Sequence, residues 1–115
     1  MDITTGNTAG RDALRDFLRA GATITDAELL QCWDVAVDTT QRWIRPGYTA
    51  DAPAGVQEFV LNVAATVWKH RDSGGDTTIL PDGTFTTGNF LTANKIGQFA
   101  RAYAGPYAQT PRVVV

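Results

Sequence analysis

Six apolar residues, Val56, Phe59, Val60, Val63, Ala64 and Val67, recur at i, i+3, i+4, i+7, i+8 and i+11. Residues three and four apart share a helix face, so this spacing lays one unbroken apolar stripe along an α-helix. Trp68 widens the stripe. A stripe of that width is stable only when other elements cover it. The rest of the chain must therefore supply helices or strands that pack on residues 56–72. The spacing predicts a helix from Val56 to Asp72, ending before Ser73-Gly74-Gly75 and lying at the centre of the core.

Three other stretches have the right character. Between Thr8 and Ala20, Ala13, Leu14, Phe17 and Leu18 form a narrow apolar stripe, and Arg11, Asp12, Arg15, Asp16 and Arg19 fill the remaining circumference. This reads as a short amphipathic helix with Gly21 as its C-terminal cap. Thr25-Asp26-Ala27-Glu28 fits a capping box, in which the Thr25 hydroxyl and the Glu28 carboxylate each accept from an orphan backbone N–H. Leu29, Leu30, Trp33, Ala36, Val37 and Ile44 follow at helical spacing, and Pro46-Gly47 stops the helix near Arg45. A Pro/Gly loop spans Pro46 to Gly55. A last helix runs from about Leu91 to Tyr103, with Thr92 as N-cap, Ile96, Phe99, Ala100 and Tyr103 on one face, and Gly105-Pro106 as terminator.

Before that last helix the pattern changes. Thr77-Thr78-Ile79-Leu80 and Thr84-Phe85-Thr86-Thr87 flank Pro81-Asp82-Gly83. Threonine and isoleucine favour strands and Asp-Gly favours a tight turn, so this is a short β-hairpin or a structured loop. An isolated hairpin is barely stable and must lean on this chain or on a neighbour. The expected fold is mostly α: a small four-helix domain, with a short β-hairpin or structured loop before the last helix and an extended C-terminal tail. Residues 1–115 form a single domain. Within it, 1–7 are expected as a flexible N-terminus, 73–90 as the hairpin-like insertion and 105–115 as the tail.

Composition narrows the function classes. A hydrophobic fraction of 43% and a charged fraction of 19% allow a packed core and argue against wholesale disorder. The net charge of −2 offers no basic stripe for phosphate neutralisation; the longest basic cluster is Lys69-His70-Arg71, and Asp72 follows it. No segment reaches the ~18 consecutive apolar residues of a membrane-spanning helix, so no membrane association is expected. The first residues lack the basic start and apolar run of a secretory signal. The chain is therefore expected in the cytosol or in a particle assembled there.

Catalytic signals are lacking. Cys32 is the one cysteine and His70 the one histidine, so a thiol–imidazole pair requires two singletons to meet. Cys32 reads instead as a small buried hydrophobe, and His70 as a surface residue at a helix end, where it suits the dipole. There is no zinc-type spacing, no phosphate-binding glycine loop and no nucleophile elbow. Asp34 and Asp38 lie one helical turn apart and could share a helix face, and a pair of carboxylates can do acid/base or metal work. A solvated helix face explains them better. No enzyme activity, cofactor or metal is expected.

Features that suit binding are clearer. Trp33 and Trp68 fall on apolar stripes. Trp43, within Arg42-Trp43-Ile44-Arg45-Pro46, is either local packing or an interface anchor of the Trp/Arg kind. The ending Arg112-Val113-Val114-Val115 is a β-prone run, either a flexible end or an arm that adds to a partner's surface. The insertion, low in charge, is either a plain surface loop or a contact between subunits.

Taken in order, these pieces resemble a known family. Ala22-Thr23-Ile24-Thr25-Asp26-Ala27-Glu28-Leu29-Leu30 opens a helix that ends near Trp43-Ile44; a Pro/Gly loop follows; then comes an alanine- and valine-rich helix that closes on Trp68-Lys69-His70-Arg71-Asp72-Ser73-Gly74-Gly75. The set resembles the head-to-tail connector (adaptor) proteins of long-tailed phages, over about residues 12 to 105. It departs from the commonest pattern in the threonine-rich insertion Thr77 to Thr87 and in the tail after Gly105.

The resemblance implies a structural virion protein. Such a protein assembles as a ring, of twelve copies in the virion, beneath the portal. The ring continues the DNA channel and offers a platform to a stopper or head-completion protein. The genomic DNA passes through without sequence-specific binding. Residues 56–72 are then scaffold. Tyr107, Pro111, Arg112, Val113, Val114 and Val115 become candidate contacts to the portal or a neighbour. Ile79, Leu80, Asp82, Phe85, Trp43 and Arg45 become candidate inter-subunit or stopper contacts. The competing expectation is a small helical nucleic-acid-binding or terminase-type phage protein, which requires a basic recognition helix.

Overall fold

Helix α1 (Thr8–Leu18) begins where the Asn7 side chain accepts from the amides of Ala9 and Gly10, satisfying two of the donors that a helix start leaves orphaned. The computed structural model describes residues 1–19, 24–72 and 93–109. The helix ends earlier than its sequence suggests. Arg19 takes the left-handed C-cap conformation (φ 53°), and its amide reaches back to the carbonyls of Arg15 and Asp16. The apolar stripe is exhausted at Leu18, so a further turn would bury nothing to offset its ordering cost.

Helix α2 (Asp26–Trp43) starts at the expected capping box: the Glu28 amide donates to Thr25 Oγ1 (3.2 Å) and the Thr25 amide donates to Glu28 Oε2 (3.3 Å). Asp26, in its first turn, receives Arg15 of α1 at 2.9 Å and Arg11 at 3.8 Å. A carboxylate there also suits the helix dipole. The helix stops at Ile44, in front of Pro46. Arg45 to Tyr48 then form a type II turn, closed by Tyr48 N–H to Arg45 C=O (3.2 Å). Gly47 supplies the positive φ of 97° that such a turn requires at its third residue.

Helix α3 (Ala54–Asp72) is the long central helix, starting two residues earlier than the apolar stripe alone indicates. Val56, Phe59, Val60, Val63, Ala64 and Val67 are all buried. They meet Leu29, Trp33, Ala36 and Val37 of α2, and among the described residues α2 and α3 form the most extensive helix pair. Helix α1 lies across both and contributes Leu14, and Cys32 is buried in the same core. Each fully buried Val, Leu or Phe among them stabilises by about 1.5–3 kcal/mol. The close approach of α1 depends on Gly10, which sits against the six-membered ring of Trp33.

The last helical stretch is not one α-helix. Helix α4 (Ala93–Phe99) passes into a π-helical turn, Ala100–Ala104, and then a 3-10 turn, Gly105–Tyr107. The wider π turn explains a departure from the sequence pattern. Regular α spacing places Tyr103 beside Ile96 and Ala100; instead Ala104 is buried with them and Tyr103 stands 40% exposed. The switch also seats the Tyr103 carbonyl directly over Gly55, a position where any Cβ would collide.

Residues 1–7, expected as flexible, are tied down. Ile3 is 1% exposed. Its amide donates to Thr49 C=O (2.7 Å), Met1 C=O accepts from Ala52 (3.1 Å), Asp2 Oδ1 accepts from Asp51 (2.7 Å), and Thr4 C=O accepts from Trp33 Nε1 (2.9 Å). One buried isoleucine and these bonds outweigh the entropy of a short terminal segment. The described chain is thus a mostly α, four-helix domain. The threonine-rich hairpin or loop of 73–90, the Gly21 and Thr92 caps and the end of the tail lie outside the described residues.

Candidate interaction surface

The C-terminus of α2 leaves carbonyls without helical partners, as every helix end does. Here they are claimed by a segment distant in sequence. Gln109 N–H donates to Trp43 C=O (2.8 Å), and Gln109 Nε2 donates to Ile44 C=O (3.1 Å) and Arg42 C=O (3.3 Å). Arg45 N–H donates to Tyr107 C=O (2.9 Å), which makes Ile44 and Ala108 a single antiparallel bridge. The tail therefore becomes extended only at Ala108; residues 105–107, assigned to it from the sequence, form the 3-10 turn.

This bridge joins sequence candidates that had been given different roles. Trp43, Arg45 and Tyr107 share one surface at the end of α2. Trp43 is half-buried with its indole over α4 at Gly97, where an added Cβ would lie 3.5 Å from Trp43 Cζ3, so the ring packs the subunit itself. Arg45 is exposed. The Tyr107 ring lies 4.8 Å from the Tyr48 ring at 52°, a tilted aromatic pair. Tyr48 was not singled out in the sequence; its exposed position beside Pro46-Gly47 was the available signal. Ile79, Leu80, Asp82, Phe85, Pro111, Arg112, Val113, Val114 and Val115 lie outside the described residues, as does the side chain of His70.

A second feature is a groove of about 290 Å³ between α1, α3 and α4. Phe17 stands on one side, Lys95 and Phe99 on the other, and Asn62, Thr66 and Lys69 line the α3 side over Ala65. Phe17 belongs to the α1 stripe that the sequence assigns to the core, yet it is 40% exposed. Leu14 is fully buried and Leu18 packs against the core, which leaves Phe17 on the rim of the groove. The Phe99 and Tyr103 rings, 6.2 Å apart, continue this aromatic surface.

Among the described residues, chemistry-bearing side chains do not gather. Asp34 Oδ1 accepts from Gly6 N–H (2.8 Å), while Asp38 faces Arg42 across 3.7 Å, so the two carboxylates serve different partners. Among the described residues no three His, Cys, Asp or Glu side chains meet in a group that could hold a metal ion. Among them, too, no helix is long and apolar enough to cross a membrane. Of the arginines, Arg11 and Arg15 pair with Asp12 and Asp26, and Arg42 lies 3.7 Å from Asp38 without a hydrogen bond at Nε or Nη2. No family model, no curated protein and no solved structure matches the chain.

Proposed function

We infer that the protein is a structural subunit of a phage neck, a head-to-tail adaptor that works in a ring under the portal and is part of the virion. The observation that carries the reading is the clamp at the end of α2. It holds the start of the tail rigidly against a surface bearing Arg45, Tyr48 and Tyr107. A small domain that presents an aromatic and arginine surface beside the root of a β-prone arm suits assembly onto a larger ring. The order of sequence pieces that resembles the adaptor family supports the same reading. A ring also compensates for a modest contact area, because each subunit repeats the same heterologous contact around a closed rotation.

The reading of a nucleic-acid binder is weaker. It needs cations aligned on one helix, and the arginines of α1 and α2 are instead neutralised by Asp12, Asp26 and Asp38. The test is to mix the purified chain with a purified portal ring and image the product by cryo-electron microscopy. A ring of repeated four-helix subunits seated under the portal is expected. Absence of any bound ring, together with a salt-dependent shift of DNA in a gel, would replace the adaptor reading with the nucleic-acid one.

A further inference from the structure

The extended residues that follow α2 sort their side chains to two sides, because successive side chains of an extended run point to opposite faces. Ile44 turns inward and is 1% exposed, with Ala108 across the bridge packed against the core. Arg45 and Tyr107 lie opposite each other in the same bridge, on the outer side, and the Tyr48 ring meets that of Tyr107. Trp43 extends this surface to α4. A Cβ added at Gly97 would lie 3.5 Å from Trp43 Cζ3 and 3.6 Å from Arg101 Nη1, so the indole and the Arg101 guanidinium come together over one spot of that helix. Arg101 is exposed, as Arg45 is.

These two arginines differ from those of the first two helices. Arg11, Arg15 and Arg42 each have a carboxylate within ion-pair distance. Arg45 and Arg101 have none, and neither side chain makes a hydrogen bond among the described residues. In a chain of net charge −2 they leave a local excess of positive charge around a half-buried tryptophan and a tyrosine pair. A guanidinium without an internal carboxylate is free to take one from outside through two parallel N–H···O bonds. Trp, Tyr and Arg are also the side chains that protein interfaces favour. Two arginines on separate elements suit a few carboxylates on a protein segment; a phosphate backbone calls for a longer row of cations.

We propose that this surface binds a carboxylate-bearing segment of the portal ring, with Arg45 and Arg101 as the charge anchors and Trp43, Tyr48 and Tyr107 as the apolar ground between them. The proposal rests on the adaptor reading and adds to it the chemistry of the partner.

Charge reversal tests it. Arg45→Glu and Arg101→Glu break no bond within the chain, and circular dichroism checks that each is folded. Arg19→Glu, at an exposed and equally unpaired arginine on the end of α1, makes the same change of net charge elsewhere. Seating of each protein on a purified portal ring is measured by sedimentation, with a decaglutamate peptide or a DNA duplex of equal total charge added as competitor. Arg45→Glu and Arg101→Glu are each expected to weaken seating about tenfold or more, Arg19→Glu to leave it unchanged, and decaglutamate to displace the wild-type chain. If wild type seats and the Arg45 and Arg101 variants seat equally well, or Arg19→Glu is as damaging as they are, this surface is not the contact and the ring reading stands without it. If the duplex displaces the chain and decaglutamate does not, the surface takes phosphate and the proposal falls. If wild type does not seat at all, the proposal and the ring reading fall together.

Discussion

Gly10 is the position where the packing makes the sharpest demand on the sequence. A Cβ built there lies 2.6 Å from Trp33 Cη2 and closer still to Cζ2 and Cε2, against an optimum of about 3.5–4.0 Å between carbons. Gly10→Ala therefore sets two effects against each other. Alanine favours the helix over glycine by about 1 kcal/mol. Overpacking a filled core costs about 1–3 kcal/mol. Trp33 has little room to yield: it is fully buried, and turning the indole breaks the Nε1 bond to Thr4 C=O, a loss of about 1 kcal/mol. The net expectation is destabilisation by about 2 kcal/mol, or a Tm lowered by roughly 6–10 °C for a chain of this size. Urea and thermal unfolding measure it. In a Trp33→Phe background, which vacates the outer ring, the same substitution should cost at least about 1 kcal/mol less. A Gly10→Ala protein as stable as wild type would refute the reasoning, because helix propensity would then outweigh the contact.

Three further outcomes follow from the same geometry. Gly55→Ala forces a Cβ into the Tyr103 carbonyl; since backbone cannot rotate aside, it should destabilise by about 2 kcal/mol or more and speed amide exchange across residues 100–104. Gln109→Ala removes the side-chain bonds to Arg42 and Ile44 carbonyls, costing about 1 kcal/mol, with faster exchange of the Arg45 amide as the specific signature. Ile3→Ala empties a buried site near the Trp33 pocket and should cost about 2–4 kcal/mol in urea unfolding, a loss that a loosely attached N-terminus would not show.

The four helices were legible because their information is local. Periodicity at Val56–Val67, the Thr25–Glu28 capping box and the Pro46-Gly47 stop each act within a turn or two of the chain, and each appears where the spacing places it. The candidate surface was legible only in part: Arg45 and Tyr107 were singled out separately, and Phe17 was assigned to the core.

What tertiary structure alone decided is of another kind. The α2 C-terminus is capped by Gln109, 67 residues beyond Arg42, and the N-terminal residues are held by Trp33 and the 49–52 loop. Phe17 ends on the rim of the groove beside α3 and α4, and the exposure of Tyr103 follows from the π turn at Ala100–Ala104. Such facts depend on which orphaned polar groups and apolar faces meet once the helices pack. A stripe of side chains specifies that a face will be buried, but the partner that buries it is chosen by the three-dimensional fit.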